Sequence, residues 1–270
     1  MKSVLVFQIE DRNDDRFNNF MNENKQTCLN NQMQYLFMKK TSFDVPIFWG
    51  KIMEIKRILT EQPNLNYLMW LDSDAFFYEF SIEKLQNFLK KYENYSMIIS
   101  KDMPPWEKGN FNAGSFFIKN DKVAHKILDK WITYYHPDRW EYKDSKWTTD
   151  GEWAKDDYEQ GSFEKFILPE FKQNIKQLPY YILNNNSCEE NTNDTISVHL
   201  ASHFKNDKKV VNKCISKFKY VYINWYKMFV WSSIILIILF AFYIIFYKYT
   251  NITKYFKRII KGYFPRKNFS

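Results

Sequence analysis

Acidic residues all but vanish from the last quarter of this 270-residue chain: between Lys205 and Ser270 there is one, Asp207, against 14 Lys or Arg. Residues 1–204 hold the other 30 acids against 25 basic side chains, so the formal net charge of +8 is a property of the tail. A mildly acidic globular part excludes a nucleic-acid groove as its natural feature, and no nucleic-acid partner is expected. Cysteine is scarce. Cys28, Cys188 and Cys214 are an odd number without metal-ligand spacing, which reads as a reducing compartment with neither a zinc site nor a disulfide framework. No internal repeat is present. The opening "MKSVLVFQIEDRNDD" has an apolar run too short for a signal-peptide core and meets charge at once, so it reads as a first strand.

Charge, glycine and proline are also missing from "MFVWSSIILIILFAFYIIFY", residues 228–247. About 20 such residues at ~1.5 Å rise each cross a hydrocarbon layer of roughly 30 Å, which predicts a transmembrane helix with Trp231, Tyr243 and Tyr247 near its ends as interfacial anchors. A soluble core helix of that length usually keeps a polar face, and this one keeps none. Both flanks are basic, so the positive-inside rule gives little orientation. The simplest expectation is single-pass membrane attachment by a C-terminal helix with the folded domain in the cytosol. Sequons at Asn94, Asn185, Asn193, Asn251 and Asn268 point instead to an endomembrane lumen, though an Asn-rich chain produces sequons by chance.

What is present is enough apolar material, 45% of residues with 20% aromatic, to fill a sizeable core. Short apolar runs alternate with helical periodicity. "SVLVFQI" reads as a strand, "NNQMQYLFMKK" as helical, "GKIMEIKRILTEQ" as a helix and "NYLMWLDSD" as a strand. "SIEKLQNFLKKY" follows as a helix capped by Ser81, "YSMIISKD" and "GSFFIKN" as strands, "NDKVAHKILDKWITYY" as a helix capped at Asn120, and "ISVHL" as a last strand. This order predicts an α/β domain with a mostly parallel sheet. Residues 137–160 form a long surface loop rich in Trp and charge.

Asp72 and Asp74 end the strand "YLMWL". In extended backbone, side chains two apart share a face, so the two carboxylates would lie side by side and call for a cation between them. Strand carboxyl ends are also where open α/β sheets bind ligands. A strand-end turn with two solvated acids is the plainer alternative.

"WLDSDAFF" resembles the Asp-x-Asp motif of glycosyltransferases of the GT-A fold, and three further blocks follow in the order those families use: "GNFNAGSFFIKN", "YEQGSFEKFI" and "VHLASHFK". With the upstream "VPIFWGKIMEIKRIL", which is similar to their Trp-x-Lys helix, the resemblance is to the family 34 galactosyl- and xylosyltransferases, more distantly to family 8. It spans roughly residues 1–205.

The resemblance implies a GT-A-like domain over 1–205; charge and hydropathy add a basic juxtamembrane segment (206–227), the transmembrane helix (228–247) and a basic tail (248–270). It implies Asp72, Asp74 and His199 as ligands of Mn²⁺ or Mg²⁺ on the diphosphate of a nucleotide sugar. The donor set itself, two carboxylates and one imidazole, suits those ions better than structural zinc; His203 competes with His199. Lys205 would contact the same phosphates, or simply open the basic run. Asn112 and Gly114 are expected on one strand face, the Gly letting backbone approach a ligand and the Asn bonding a sugar hydroxyl. A turn is the alternative there. Glu159 and Gln160 match the acidic-Gln pair beside the anomeric carbon of a retaining enzyme, Gln160 stabilising an oxocarbenium-like state and Glu159 binding donor hydroxyls. Tyr158 stands where such families often carry another acid. Ser73, Trp49 and Lys51 are further donor-site candidates, and Gln8, Glu10 and Arg12 candidates for the base pocket. Trp106, Trp140, Trp147 and Trp153 offer faces for an acceptor sugar or belong to the core. The expected partners are a UDP- or GDP-sugar donor, a glycan or glycoprotein acceptor, and the membrane. A catalytically inactive, membrane-tethered glycan- or nucleotide-binding relative is the alternative reading.

Overall fold

The computed structural model describes residues 2–12, 15–103, 111–188, 193–201 and 206–263. The chain falls into two units, Met1–Ile215 and Ser216–Ser270. In the first, β1 (Val4–Ile9), α1 (Asp15–Asn30), β2 (Gln34–Met38), α2 (Ile47–Glu61), β3 (Tyr67–Leu71), β4 (Ala75–Phe77), α3 (Ile82–Lys91), β5 (Met97–Ser100), β6 (Ser115–Lys119) and α4 (Lys122–Ile132) follow one another. After a 3-10 turn come the hairpin β7 (Glu141–Lys143) and β8 (Lys146–Thr148), then α5 (Glu159–Ser162), a π-helical turn, α6 (Leu168–Glu170), β9 (Ile175–Leu178), α7 (Tyr180–Leu183) and β10 (Ser197–His199). The helix α8 (Lys208–Tyr263) runs from the first unit into the second.

Six strands make one sheet in the order β2-β1-β3-β6-β5-β9. β1 pairs parallel with β2 and β3, and β5 parallel with β9, while β6 runs antiparallel to both β3 and β5. Five strands therefore share a direction and β6 opposes them. Strand alternation sorts the core onto two faces: Leu5, Phe7, Leu68 and Trp70 pack with α2 and α4 residues such as Ile55 and Trp131, whereas Val4, Val6, Tyr67 and Met69 pack with Leu85, Leu89 and Cys28. The carboxyl ends of β1, β3 and β5 and the start of β6 consequently meet at one edge of the sheet.

Two local expectations fail. "QYLFM" is not helical but the edge strand β2, pairing in parallel with β1 from Leu5↔Gln34 to Ile9↔Met38; the run is too short for an independent helix, and the partner strand decides its state. The helix after β6 is capped by Asp121, whose Oδ1 accepts from the amides of Val123 and Ala124 at 3.0 and 2.9 Å, and not by Asn120. Asn120 instead donates to the carbonyls of Leu59 and Gln62, tying the end of α2 to the start of α4. Ser81 does cap α3, accepting from the Lys84 amide.

The expectation of three reduced cysteines also fails. Cys188 and Cys214 form a disulfide with a Cα–Cα distance of 5.6 Å, and only Cys28, which is buried, is free. The bridge closes a loop of 26 residues that contains β10, which by chain entropy stabilises the domain by about 3–4 kcal/mol. In the second unit, Val230–Tyr249 is one helical stretch long and apolar enough to cross a membrane, within two residues of the span expected from sequence.

Candidate active site

β3 is buried along its whole length and stops at Leu71. The chain then turns, with the Ala75 amide donating back to the Asp72 carbonyl at 2.9 Å. Asp72 and Asp74 therefore belong to a tight turn between β3 and β4, not to one face of an extended strand as expected. The turn is held from below: buried Gln8 donates from Nε2 to the Asp72 carbonyl at 3.0 Å, and Asn24 of α1 bonds Gln8, the Ala75 carbonyl and the Phe77 amide. Gln8 is thus a support of the turn.

Antiparallel pairing of β10 with β4 sets His199 opposite Ala75, and the Leu200 amide donates to the Asp74 carbonyl at 3.0 Å. This register is what carries His199 to the turn. Its Nε2 lies 3.2 Å from Asp74 Oδ1 and 3.8 Å from Asp72 Oδ2, and the three residues offer ligand atoms all within 4.8 Å of one another.

The histidine tautomer follows from its neighbour. Asn184, fully buried, points Nδ2 at Ser100 Oγ (2.9 Å) and at the carbonyls of Ser115 and Asn112. Carbonyls only accept, so the amide nitrogen must face them and Oδ1 must face His199 Nδ1, 3.1 Å away. Nδ1 therefore carries the proton and donates. In the neutral ring Nε2 is the nitrogen with the lone pair, and it is aimed at two carboxylates. Orientation of a ligating His through its other nitrogen is a recurring feature of metal sites.

Gly114 explains why the ring fits. A Cβ there would lie 2.0 Å from His199 Cε1 and 2.2 Å from Nδ1. This Gly makes room for the imidazole. Asn112 accepts from the Gly114 amide through Oδ1 and donates from Nδ2 to Asp102 Oδ1 at 2.8 Å. Burial pushes the Asp102 carboxyl up, with the Asn112 hydrogen bond offsetting part of the effect.

On the other side of Asp72 stands Lys51, buried on α2. Its Nζ is 2.8 Å from Glu159 Oε1 and 3.6 Å from Asp72 Oδ1, donates to the Ala113 carbonyl at 3.1 Å, and lies 5.2 Å from the centre of the Trp70 ring. Burial alone would lower its pKa, but Asp72 and Glu159 outweigh that and hold it above the ordinary lysine value. Trp70 Nε1 donates to Asp72 Oδ1 at 2.8 Å. Gln160 follows Glu159, and its Oε1 accepts from the Ala113 amide at 3.0 Å. Ser73, also buried, bonds Glu10 Oε2 through its hydroxyl and accepts from Arg12 Nη2 at 3.1 Å, while Arg12 and Glu10 form a two-point ion pair.

The structure thus brings together Asp72, Asp74, His199, Lys51, Glu159, Gln160, Asn112 and Ser73. It does not bring Trp49 to a surface where a substrate can touch it: Trp49 is wholly buried in the core and its Nε1 donates to the Asp157 carbonyl. Lys205, His203 and Trp106 lie outside the described residues. Asn184 and Asp102 escaped sequence reasoning. Asn184 sits in an Asn run that reads as a polar loop, and Asp102 follows a strand as any surface acid might.

The model of the galactosyl transferase GMA12/MNN10 family matches residues 2–215. The chain belongs to that family. The chain is similar to plant proteins: it is 30% identical over 90 residues to xyloglucan 6-xylosyltransferase 2 of Arabidopsis thaliana, and 29% identical over 89 residues to probable glycosyltransferase 2 of Oryza sativa subsp. indica. Each match covers 31% of this chain and 18% of the relative, so the chain spans under a fifth of those proteins. The fold is that of a glycosyltransferase involved in glycosylation of the major capsid of PBCV-1, with a TM-score of 0.58 at 14% identity over 78% of this chain and 99% of that one.

Proposed function

We propose that this family member is a divalent-metal-dependent, retaining glycosyltransferase, moving a hexose or pentose from a nucleotide-diphosphate sugar to a glycan or glycoprotein acceptor. The observation that carries the reading is His199 Nε2 turned toward Asp74 and Asp72. With a neutral ring, the formal charge of Asp72, Asp74, Glu159 and Lys51 is −2, which calls for a dication. Two carboxylates and one imidazole match Mn²⁺ or Mg²⁺.

Asp72, Asp74 and His199 would hold the ion, which supplies Lewis-acid stabilisation of the diphosphate leaving group. Lys51 keeps Asp72 and Glu159 in place and balances one of their charges. Ser73, with Glu10 and Arg12, would meet the nucleoside end of the donor, Asn112 and Glu159 its sugar hydroxyls, and Lys205 its phosphates. Gln160 would stabilise positive charge developing at the anomeric carbon. In the transfer, the bond from that carbon to the diphosphate oxygen breaks, the acceptor hydroxyl bonds on the same face, and its proton leaves on the released nucleotide diphosphate.

The Cys188–Cys214 bridge supports an oxidising compartment for this domain, against the cytosolic expectation, and the Val230–Tyr249 span supports membrane attachment. Asn94 and Asn193, two of the sequon residues, are exposed, which fits a lumenal domain. Protection of residues 1–215 from protease in sealed microsomes is expected; digestion there returns the domain to the cytosol.

The activity is tested by incubating the full chain with Mn²⁺ and a panel of UDP- and GDP-sugars, with Asp74→Ala in parallel. Nucleotide release by the parent alone is expected. Equal release by both removes the metal site, and a nucleotide-dependent thermal shift without turnover on any donor favours an inactive binding relative.

A further inference from the structure

The three described tryptophans of the 137–160 excursion have different fates. Trp140 is buried and its Nε1 donates to the Asp157 carbonyl, and Trp147 packs on Tyr142 of the hairpin. Trp153 is 67% exposed. It is nonetheless packed against two other rings. Its ring meets Phe48 edge-on at 5.3 Å and Tyr158 at 4.8 Å. The next residue, Ala154, has φ 60°, a left-handed conformation that costs a non-glycine residue about 1–2 kcal/mol. Gly161 lets this turn come close: a Cβ there would lie 2.3 Å from the Lys155 carbonyl and 2.4 Å from that of Ala154. The segment bearing Trp153 is therefore seated directly against α5, the helix of Glu159 and Gln160.

Both of its ring neighbours belong to elements of the candidate active site. Tyr158 immediately precedes Glu159. Phe48 lies three residues before Lys51 on α2, and residues three apart on a helix share a face. An exposed aromatic surface is thus carried on the two elements that bear Lys51 and Glu159, without belonging to the acidic cluster. Flat apolar faces with polar groups nearby suit a pyranose, whose C–H face packs on a ring while its hydroxyls stay solvated.

We infer that Trp153, backed by Phe48 and Tyr158, is the stacking platform for the acceptor saccharide. The inference rests on the glycosyltransferase reading for the identity of the occupant. The donor's diphosphate would find its partners around the ion held by Asp72 and Asp74, whereas Trp153 offers an uncharged ring face, which fits a neutral sugar and not a diphosphate.

The test separates the two readings. Full-length Trp153→Ala, Trp153→Phe and, as a surface control, Tyr142→Ala are compared for retardation in gels containing soluble β-glucan, xylan or mannan, without donor. Retardation by at least one polysaccharide that is lost in Trp153→Ala, kept in Tyr142→Ala and partly kept in Trp153→Phe is expected, as is an acceptor KM raised about tenfold with donor KM unmoved. If no donor is turned over but retardation still depends on Trp153, the platform stands and the enzyme reading falls. Retardation or acceptor KM indifferent to Trp153, or a Trp153→Ala change confined to self-association or vesicle binding, overturns the platform.

Discussion

His199 Nε2 stands 3.2 Å from Asp74 Oδ1, and the same ring is held from behind by Asn184, 3.1 Å from Nδ1. The pair Asp74–His199 joins a turn after β3 to a strand near the end of the first unit, and the β4–β10 ladder makes that join possible.

Asn184→Ala removes the acceptor that fixes the histidine tautomer and leaves Nδ1 and the Ser100 hydroxyl without this partner. A loss of 10–100-fold in Mn²⁺ affinity is expected from orientation alone, with roughly 1–3 kcal/mol of stability lost to unsatisfied buried groups. Calorimetric metal titration and urea unfolding read the two effects separately.

Gly114→Ala sets a methyl into the His199 ring. Overpacking of this kind costs about 1–3 kcal/mol, and the cheaper relaxation is for the imidazole to leave the site. The expected result is a folded protein whose metal affinity falls as far as in His199→Ala. Unchanged metal binding would contradict His199, in this position, as a ligand.

Lys51→Met strands Glu159, which is buried and loses its cation. Breaking a buried pair from one side costs about 3–5 kcal/mol, and the Glu159→Gln change in the same chain should recover most of it, because it removes the uncompensated charge. Chemical denaturation of the two single variants and the double variant closes the cycle. Additive costs would show that the pair is not coupled.

Thiol counting tests the cysteine chemistry. Burial pushes the Cys28 thiol up to about 12, so at neutral pH the native chain should present no reactive thiol, the denatured chain one, and the denatured and reduced chain three. The raised Cys28 pKa also makes stability pH-dependent in a stated direction: its contribution is complete below pH ~9 and falls as pH rises toward the folded value, because only the unfolded thiol ionises readily in that window. Cys28→Ala should flatten that alkaline decline. Three thiols in the denatured, unreduced chain would refute the bridge.

Much of this was legible in the sequence, and the illegible parts have physical causes. β3 was readable because "YLMWL" is apolar throughout, whereas the turn after it was not, since Asp-Ser-Asp suits extended backbone as well and the chain is buried from Ser73 through Tyr78. β2 was not, since "QYLFM" suits a short helix as well as a strand and only pairing with β1 decides. The roles of Gly114 and Asn184 depend on where His199 arrives, a matter of β10 register that no local pattern contains. The Cys188–Cys214 bridge has no spacing motif. Lys51 was visible as part of a resembling helix, but its position between Asp72 and Glu159 belongs to the packing of α2 against α5.

The most direct test of the central claim is Mn²⁺ titration of the full chain, followed by calorimetry in the presence of UDP, in the parent and in Asp74→Ala and His199→Ala. One site in the parent, weakened at least 100-fold in both variants, is the predicted result. Parent-like binding in either variant would contradict a shared ion between Asp74 and His199.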